Sequence, residues 1–334
     1  MLTTIVLSIF IFGFLIVIHE FGHFLAARIS KVDVLEFAIG MGPVVYARQG
    51  KRTKFSLRAL PIGGFCKMRG EDEDDFSEGS FNAKGKSSRI FILAAGAIMN
   101  IFGTVILLSL VFFMIGTPTT TLAEVEANYP AFEAGIRSGD QIVSIDGNTV
   151  STWDEINASI SDDKEETYNV VYQREETHFS AQITSRYDEG SGRYRIGVAP
   201  ARESGFFSSI GEGVRQTVLY AVMMVDTIGQ LVTGRASTDD LMGPIGIVSV
   251  VGETAQYGAV ALMNLAAVIS LNLAIFNLLP IPALDGSRII FIFIEWIKGS
   301  PVNPEKEGMI HLIGFALLMI LAIFIAYNDI LRLN

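Results

Sequence analysis

Hydrophobic and polar positions along the chain separate into long apolar runs and one region of short alternating ones. Residues 2–25 carry no charge until His19-Glu20, residues 90–115 are apolar apart from Asn100 and small residues, and residues 309–327 form a third run. A bilayer core takes about 20 residues of helix, so each run predicts a spanning helix. Residues 260–279, which hold Asn264, Asn272 and Asn277 but no charge, predict a fourth. The 214–232 stretch is also apolar, but Arg215 and Asp226 break it and predict an amphipathic surface helix. A fifth span is the alternative there. The first run is too long for a signal peptide's apolar core and has no Lys or Arg before it, so it is expected to be retained.

Between the second run and residue 205 the period shortens. Gln141–Ile145 and residues 168–173, 178–184 and 194–198 read as strands, with turn signals at Asp146-Gly147 and Ser191-Gly192 and a helix at 153–161. This predicts a small β-rich domain over 118–202. Four regions follow: a first membrane-core region at 1–115, a soluble insert at 116–205, a membrane-surface segment at 206–240 and a second membrane-core region at 241–334.

Composition supports this division. Half of the 334 residues are hydrophobic and only 18% are charged, and mean hydropathy is +0.43, too apolar for an ordinary soluble enzyme. The net charge of −10 is concentrated in residues 116–205, with 7 Lys and Arg against 16 Asp and Glu, whereas residues 28–89 carry 12 against 8. Positive loops stay inside, so 28–89 is expected in the cytoplasm and the insert and both termini outside. One cysteine, Cys66, excludes a disulfide framework. A pI near 5.0 without a basic face excludes nucleic-acid binding. The acidic stretch 71–75 reads as a cytoplasmic loop without assigned function.

The sharpest chemical signal is His19-Glu20-Phe21-Gly22-His23. Helical positions i and i+4 share a face, so both imidazoles can bind one metal ion with Glu20 beside them. Two histidines and a glutamate in an apolar span are costly unless paired or functional. Two imidazoles plus a carboxylate with an open position suit one zinc ion per chain. Such an ion activates water and polarises a carbonyl, with Glu20 as the proton carrier. Asp285, in Asn277-Leu-Leu-Pro280-Ile-Pro282-Ala-Leu-Asp285-Gly286, is the best third ligand. The alternative is that Asp285 caps a helix over 286–298 and the prolines merely stop the preceding one.

These two motifs together resemble the site-2 proteases, intramembrane zinc metalloproteases, and most nearly the bacterial RseP type. Further matching stretches are Phe37-Ala-Ile-Gly40-Met-Gly42-Pro43, Pro61-Ile-Gly63-Gly64-Phe65-Cys-Lys67-Met68 and Met242-Gly243-Pro244-Ile-Gly246. The resemblance implies a polytopic helical membrane protein of the bacterial cytoplasmic membrane. In it His19, His23 and Asp285 would be ligands, Glu20 the base and Asn277 a substrate contact. The implied substrates are single-span membrane proteins, either an anti-sigma factor or leftover signal peptides. Gly96-Ala97-Ile98-Met99-Asn100 departs from the family, which usually has proline after the glycine. Residues 130–147, with Gly135, Gly139-Asp140 and Asp146-Gly147, resemble a bacterial PDZ domain, implying substrate filtering over the active site or capture of a peptide or C-terminus.

Lys54–Met68 reads as a short hairpin turning at Pro61 to Gly64 and dipping towards the membrane. Its edge, with Gly63 and Gly64, would offer hydrogen bonds to an unwound substrate. An ordinary cytoplasmic hairpin is the plain alternative. His178 is expected at the surface, His311 at the membrane interface rather than at the metal, and Cys66 outside any redox role. Rival functions are a metal transporter or sensor using the same ligands, which would not need Glu20, and a silent scaffold displaying the PDZ domain.

Overall fold

The computed structural model describes every residue except Met1, Asp72, Asp74, 236–241, Pro301 and Asn334. In chain order the elements are α1 (Leu2–Ile29), β1 (Val34–Gln49), β2 (Lys54–Met68), α2 (Lys86–Ile115), β3 (Thr117–Val125), α3 (Pro130–Glu133), β4 (Gln141–Ile145), β5 (Asn148–Thr149), α4 (Trp153–Ser159), β6 (Thr167–Arg174), β7 (Thr177–Thr184), β8 (Arg186–Asp188), β9 (Arg193–Arg195), β10 (Val198–Glu203), α5 (Phe206–Val232), α6 (Pro244–Ala255), α7 (Ala259–Leu278), α8 (Asp285–Lys298) and α9 (Pro304–Leu333). They form two compact units, Met1–Leu110 with Gly213–Asn334, and Val111–Glu212.

In the first unit, α1, α2, α7 and residues Glu305–Leu331 of α9 are long and apolar enough to cross a membrane. These are the four expected runs. The amphipathic 214–232 stretch lies inside α5. Residues 236–240 of the expected surface segment, and residues 72 and 74 of the acidic stretch, lie outside the described residues. No proline interrupts α1, which closes at Lys31 in the left-handed region (φ 57°). There the Val32 N–H returns to the Ala27 carbonyl at 2.8 Å, satisfying a terminal acceptor. At Gly22 the backbone of α2 comes so near that a Cβ would overlap the Ala95 carbonyl, the close approach that small residues permit in membranes. Ala26, Ala27, Val34, Ile92, Leu93 and Ile292 join α1, β1, α2 and α8 in one buried cluster. Ile11, Leu15, Val251, Ala266 and Ile269 join α1, α6 and α7 in another. Arg89 on α2 and Glu295 on α8 pair at 2.8 Å.

The Gly243-Pro244-Ile-Gly246 stretch is the start of α6. The buried Asp329 of α9 accepts from the Gly243 and Gly246 N–H groups at 3.2 and 2.8 Å, filling the role of an N-cap from another helix. A Cβ at Gly243 would run into that carboxylate.

Lys54–Met68 is not a hairpin in itself. It is one strand, β2, and its antiparallel partner is β1. Phe37 pairs with both Phe55 and Cys66, and Ile39 with both Leu57 and Gly64, so the first half of β1 lies between the two halves of β2. The polar face points inward, where Glu36 accepts from Ser56 and Arg58 at 2.6 and 2.8 Å. Phe55, Leu57 and Leu60 point outward, an inversion that suits an apolar surrounding.

In the second unit the strands run β10-β3-β4-β6-β7, with β5 on β4 and a separate β8-β9 pair. Leu122, Ile136, Ile142, Ile145, Val170 and Ile183 form its core. The first three expected strands are present, as β4, β6 and β7. The expected 194–198 run divides into β9 and β10 at Gly197 (φ 82°), where a Cβ would collide with Tyr129. Helix α4 starts with a capping box, Thr152 and Glu155, and ends two residues earlier than expected.

Gly139-Asp140 also has a structural role. The Asp140 side chain is 1% exposed and is gripped by Arg174 at 2.7 and 2.8 Å, with the Arg137 N–H at 2.8 Å. Burial alone would raise this carboxyl, but the Arg174 fork and the Arg137 N–H outweigh it and hold it below the ordinary range. A depressed carboxyl stabilises the fold above its unfolded pKa, about 3.9, and that contribution is lost as pH falls further. We expect Arg174→Gln to destabilise the unit at pH 7, because it leaves the buried Asp140 carboxylate without its charged partner. The deficit should shrink below pH 4, as read by thermal melting of the full chain at both pH values.

Candidate active site

Three side chains from distant parts of the first unit meet at one point. His19 and His23, one helical turn apart on α1, bring their Nε2 atoms to 3.2 Å. Asp285, the first residue of α8, places Oδ2 at 3.2 Å from His19 Nε2 and 3.4 Å from His23 Nε2. Helix α8 has Leu284 as its N-cap residue, with no side-chain cap. The Asp285 carboxylate therefore points to the imidazoles instead of capping its own helix. Helix α7 stops at Leu278 before Pro280, and the 279–284 loop turns back through Ala283 in the left-handed region (φ 77°). The Ala283 N–H donates to His311 Nδ1 of α9 at 3.0 Å. His311, expected only at the interface, thus holds the loop that presents Asp285. Gly286 is equally constrained, since a Cβ would overlap the Leu278 and Leu279 carbonyls.

The donor set fits a zinc ion. A tetrahedral site with bonds of about 2.0–2.1 Å has ligand-to-ligand edges of about 3.3 Å, and the three observed separations are 3.2, 3.2 and 3.4 Å. His23 Nδ1 lies 2.9 Å from the Ile92 carbonyl, which can only accept, so Nδ1 carries the proton. In neutral His23 the Nε2 lone pair then faces His19 Nε2 and the Asp285 carboxylate. Converging lone pairs repel unless a cation or protons lie among them. Gly96 of α2 forms the wall behind both rings. A Cβ there would overlap His23 Nε2 and stand 2.6 and 2.7 Å from His19 Cε1 and Nε2.

Glu20 shares a cavity of about 930 Å³ with these residues, together with Asn100, Asn277 and His311. The Cys66 backbone N–H of β2 is directed at its carboxylate. Gly64 stands against the Glu20 stem, 3.4 Å from a built Cβ to Cγ. Asn277 lines the cavity, whereas Gly63 and Gly64 are not among its lining residues. His178 is exposed on β7, as expected, and Cys66 is buried. In the sequence, Gly96 and Asn100 stand out as the ends of a stretch that departs from the family pattern at Ala97, which by itself assigns neither of them to the site. A further signal that raises Asn100 is an amide side chain in an otherwise apolar span.

The chain is similar to several known proteins. The Peptidase family M50 profile matches residues 7–321. The zinc metalloprotease RasP of Bacillus licheniformis is 32% identical, covering 99% of this chain and 100% of its own length. The regulator of sigma-W protease RasP of Bacillus subtilis is 30% identical with 99% of both chains covered. A Clostridium acetobutylicum protein bearing a zinc metalloprotease name is 38% identical over 98% and 97%. Among solved structures, the PDZ domain of an SdrC-like protein from Listeria monocytogenes matches 26% of this chain and 87% of that one, at 23% identity and a TM-score of 0.22. The profile match and the near full-length relatives make the chain a member of peptidase family M50, the site-2 protease family its two motifs resemble.

Proposed function

We propose that the chain is an intramembrane zinc endopeptidase that cuts single-span membrane proteins in or beside their membrane helix. In this reading His19, His23 and Asp285 hold the ion, Glu20 is the base and Asn277 contacts substrate. The observation that carries it is the convergence of three donor atoms at tetrahedral-edge spacing beside the Glu20 carboxylate. Zinc, when bound, lowers the pKa of a water to about 7 and polarises a carbonyl. Glu20 takes the proton of the attacking water on its carboxylate and returns it to the leaving amine nitrogen. A membrane helix hides its carbonyls in its own hydrogen bonds, so the substrate must be extended before it is cut. β2 runs beside Glu20, and the bare backbone at Gly63 and Gly64 is a place where an extended segment can add as a strand.

The bacterial relatives suggest a bacterial membrane protein, and the charge pattern supports an orientation with 28–89 on the inner side and the acidic insert outside. We read the Val111–Glu212 unit as a PDZ domain that filters substrates or binds a peptide. The Bacillus subtilis relative is named as a regulator of sigma-W protease, and an anti-sigma factor or a remnant signal peptide is the substrate class we assign here.

The test compares purified wild type with Glu20→Gln on a tagged single-span substrate, measuring bound zinc in both. Cleavage should fall by about 10²–10⁴ with zinc retained. Surviving cleavage would remove Glu20 from the chemistry. Metal flux that persists in Glu20→Gln, without cleavage by either protein, would favour a transporter.

A further inference from the structure

Asn100 is wholly buried on α2, with its amide nitrogen 3.4 Å from His19 Nδ1. Its Oδ1 has no partner among the described residues. The backbone at this point is held firmly. The Asn100 carbonyl accepts from Thr104 Oγ1 and from Ser270 Oγ of α7, both at 2.9 Å, and Thr104 Oγ1 also reaches the Ala267 carbonyl at 3.2 Å. A buried polar seam between two apolar helices is costly unless it has a use.

A neutral imidazole carries one N–H. For His19 Nε2 to offer a lone pair to a cation, Nδ1 must hold the proton, and only an acceptor can then face Nδ1. A half-turn of the Asn100 amide exchanges its oxygen and nitrogen with almost no displacement. That turn pairs the orphaned Oδ1 with Nδ1–H. With the amide nitrogen facing Nδ1 instead, the imidazole proton sits on Nε2 and donates to Asp285 Oδ2 at 3.2 Å. The two amide orientations thus correspond to a metal-accepting and a metal-free pocket.

We propose that Asn100 is a positioning residue for His19, its amide oxygen selecting the tautomer that turns the Nε2 lone pair into the metal pocket. The Ile92 carbonyl does the same for His23. This rests on the zinc reading above and not on any substrate. Hydrogen-bond partners of metal-binding histidines commonly contribute 10–100-fold in metal affinity.

The experiment measures zinc affinity of the purified full chain by competition with a chromophoric chelator, alongside the melting temperature of the metal-free protein. Asn100→Leu and Asn100→Ala should each lose about 10–100-fold in zinc affinity, with the metal-free melting temperature close to wild type. Asn100→Asp, which keeps an acceptor oxygen in either protonation state, should stay within a few-fold of wild type. Unchanged affinity in the folded leucine or alanine variant overturns the proposal. So does an aspartate variant that folds yet loses as much as leucine. Should leucine not fold, the smaller alanine carries the comparison. Wild type that binds zinc but cuts no substrate defeats the protease reading while leaving this one standing on the affinities, whereas wild type without zinc sinks both.

Discussion

Gly96→Ala is expected to weaken zinc binding and proteolysis by at least about 10²-fold in a protein that still folds. The added methyl has no free space, because it would fall on His23 Nε2 and within 2.7 Å of two His19 ring atoms. Neither ring can step aside cheaply. His23 is tied to the Ile92 carbonyl on the same helix as Gly96, and His19 stands against Asn100. One or both rings must turn, and a displacement of about 1 Å in a catalytic group costs about 10²-fold in rate. Zinc affinity should fall by at least a similar factor, since the methyl disturbs two donors at once. Alanine is the better helix former by about 1 kcal/mol, so α2 itself is not weakened. Gly103→Ala, on the same helix, is the control: its Cβ would meet Ile18 and Ser270 at 3.6 Å, ordinary contact distance. Zinc binding should survive there. Equal zinc binding by Gly96→Ala and wild type would show that the rings do not occupy these positions.

How much of this site is legible in the sequence depends on the range of the interaction. His19, Glu20 and His23 are readable because helical periodicity alone places them together. Asp285 is readable as chemistry, from an acid after a broken helix, but its distance from His19 is set by packing of α8 on α1 and α2, which no spacing encodes. Gly96 and Asn100 are readable as the ends of a stretch set against the family pattern, but not as neighbours of the histidines, because small and polar residues in a membrane helix ordinarily serve helix packing and interhelical hydrogen bonds. His311 escapes for a related reason: its partner is a backbone N–H freed by Ala283 in the left-handed region, a feature invisible in residue type. The 54–68 segment suggests pairing with itself because its true partner, β1, is a separate strand that inserts between its halves. Its outward apolar face also inverts the usual rule for a half-buried strand. The 194–198 run is continuous in pattern, yet Gly197 takes a conformation that ends the strand.

Asp285→Ala separates the two meanings this aspartate has in the sequence. As a helix cap, its loss would cost about 0.5–2 kcal/mol of stability and leave the metal site alone. The geometry argues for the opposite result. Leu284 occupies the N-cap position and no side chain caps α8, so alanine at 285 removes no cap. The loop will not rearrange to compensate, because Ala283 is held on His311 at 3.0 Å and Gly286 is packed against the Leu278 and Leu279 carbonyls. The carboxylate itself, only 23% exposed, has both imidazoles as partners. Two imidazoles without the acid are a poor site, and affinity should fall by at least the 10²-fold at the upper end of what outer partners contribute. Asp285→Asn, which keeps the shape and removes the charge, should lose nearly as much. In both variants the zinc-dependent rise in melting, present in wild type through linkage, disappears. Retained zinc together with a lowered metal-free melting temperature would restore the capping role and leave the third donor to be sought elsewhere on the cavity wall.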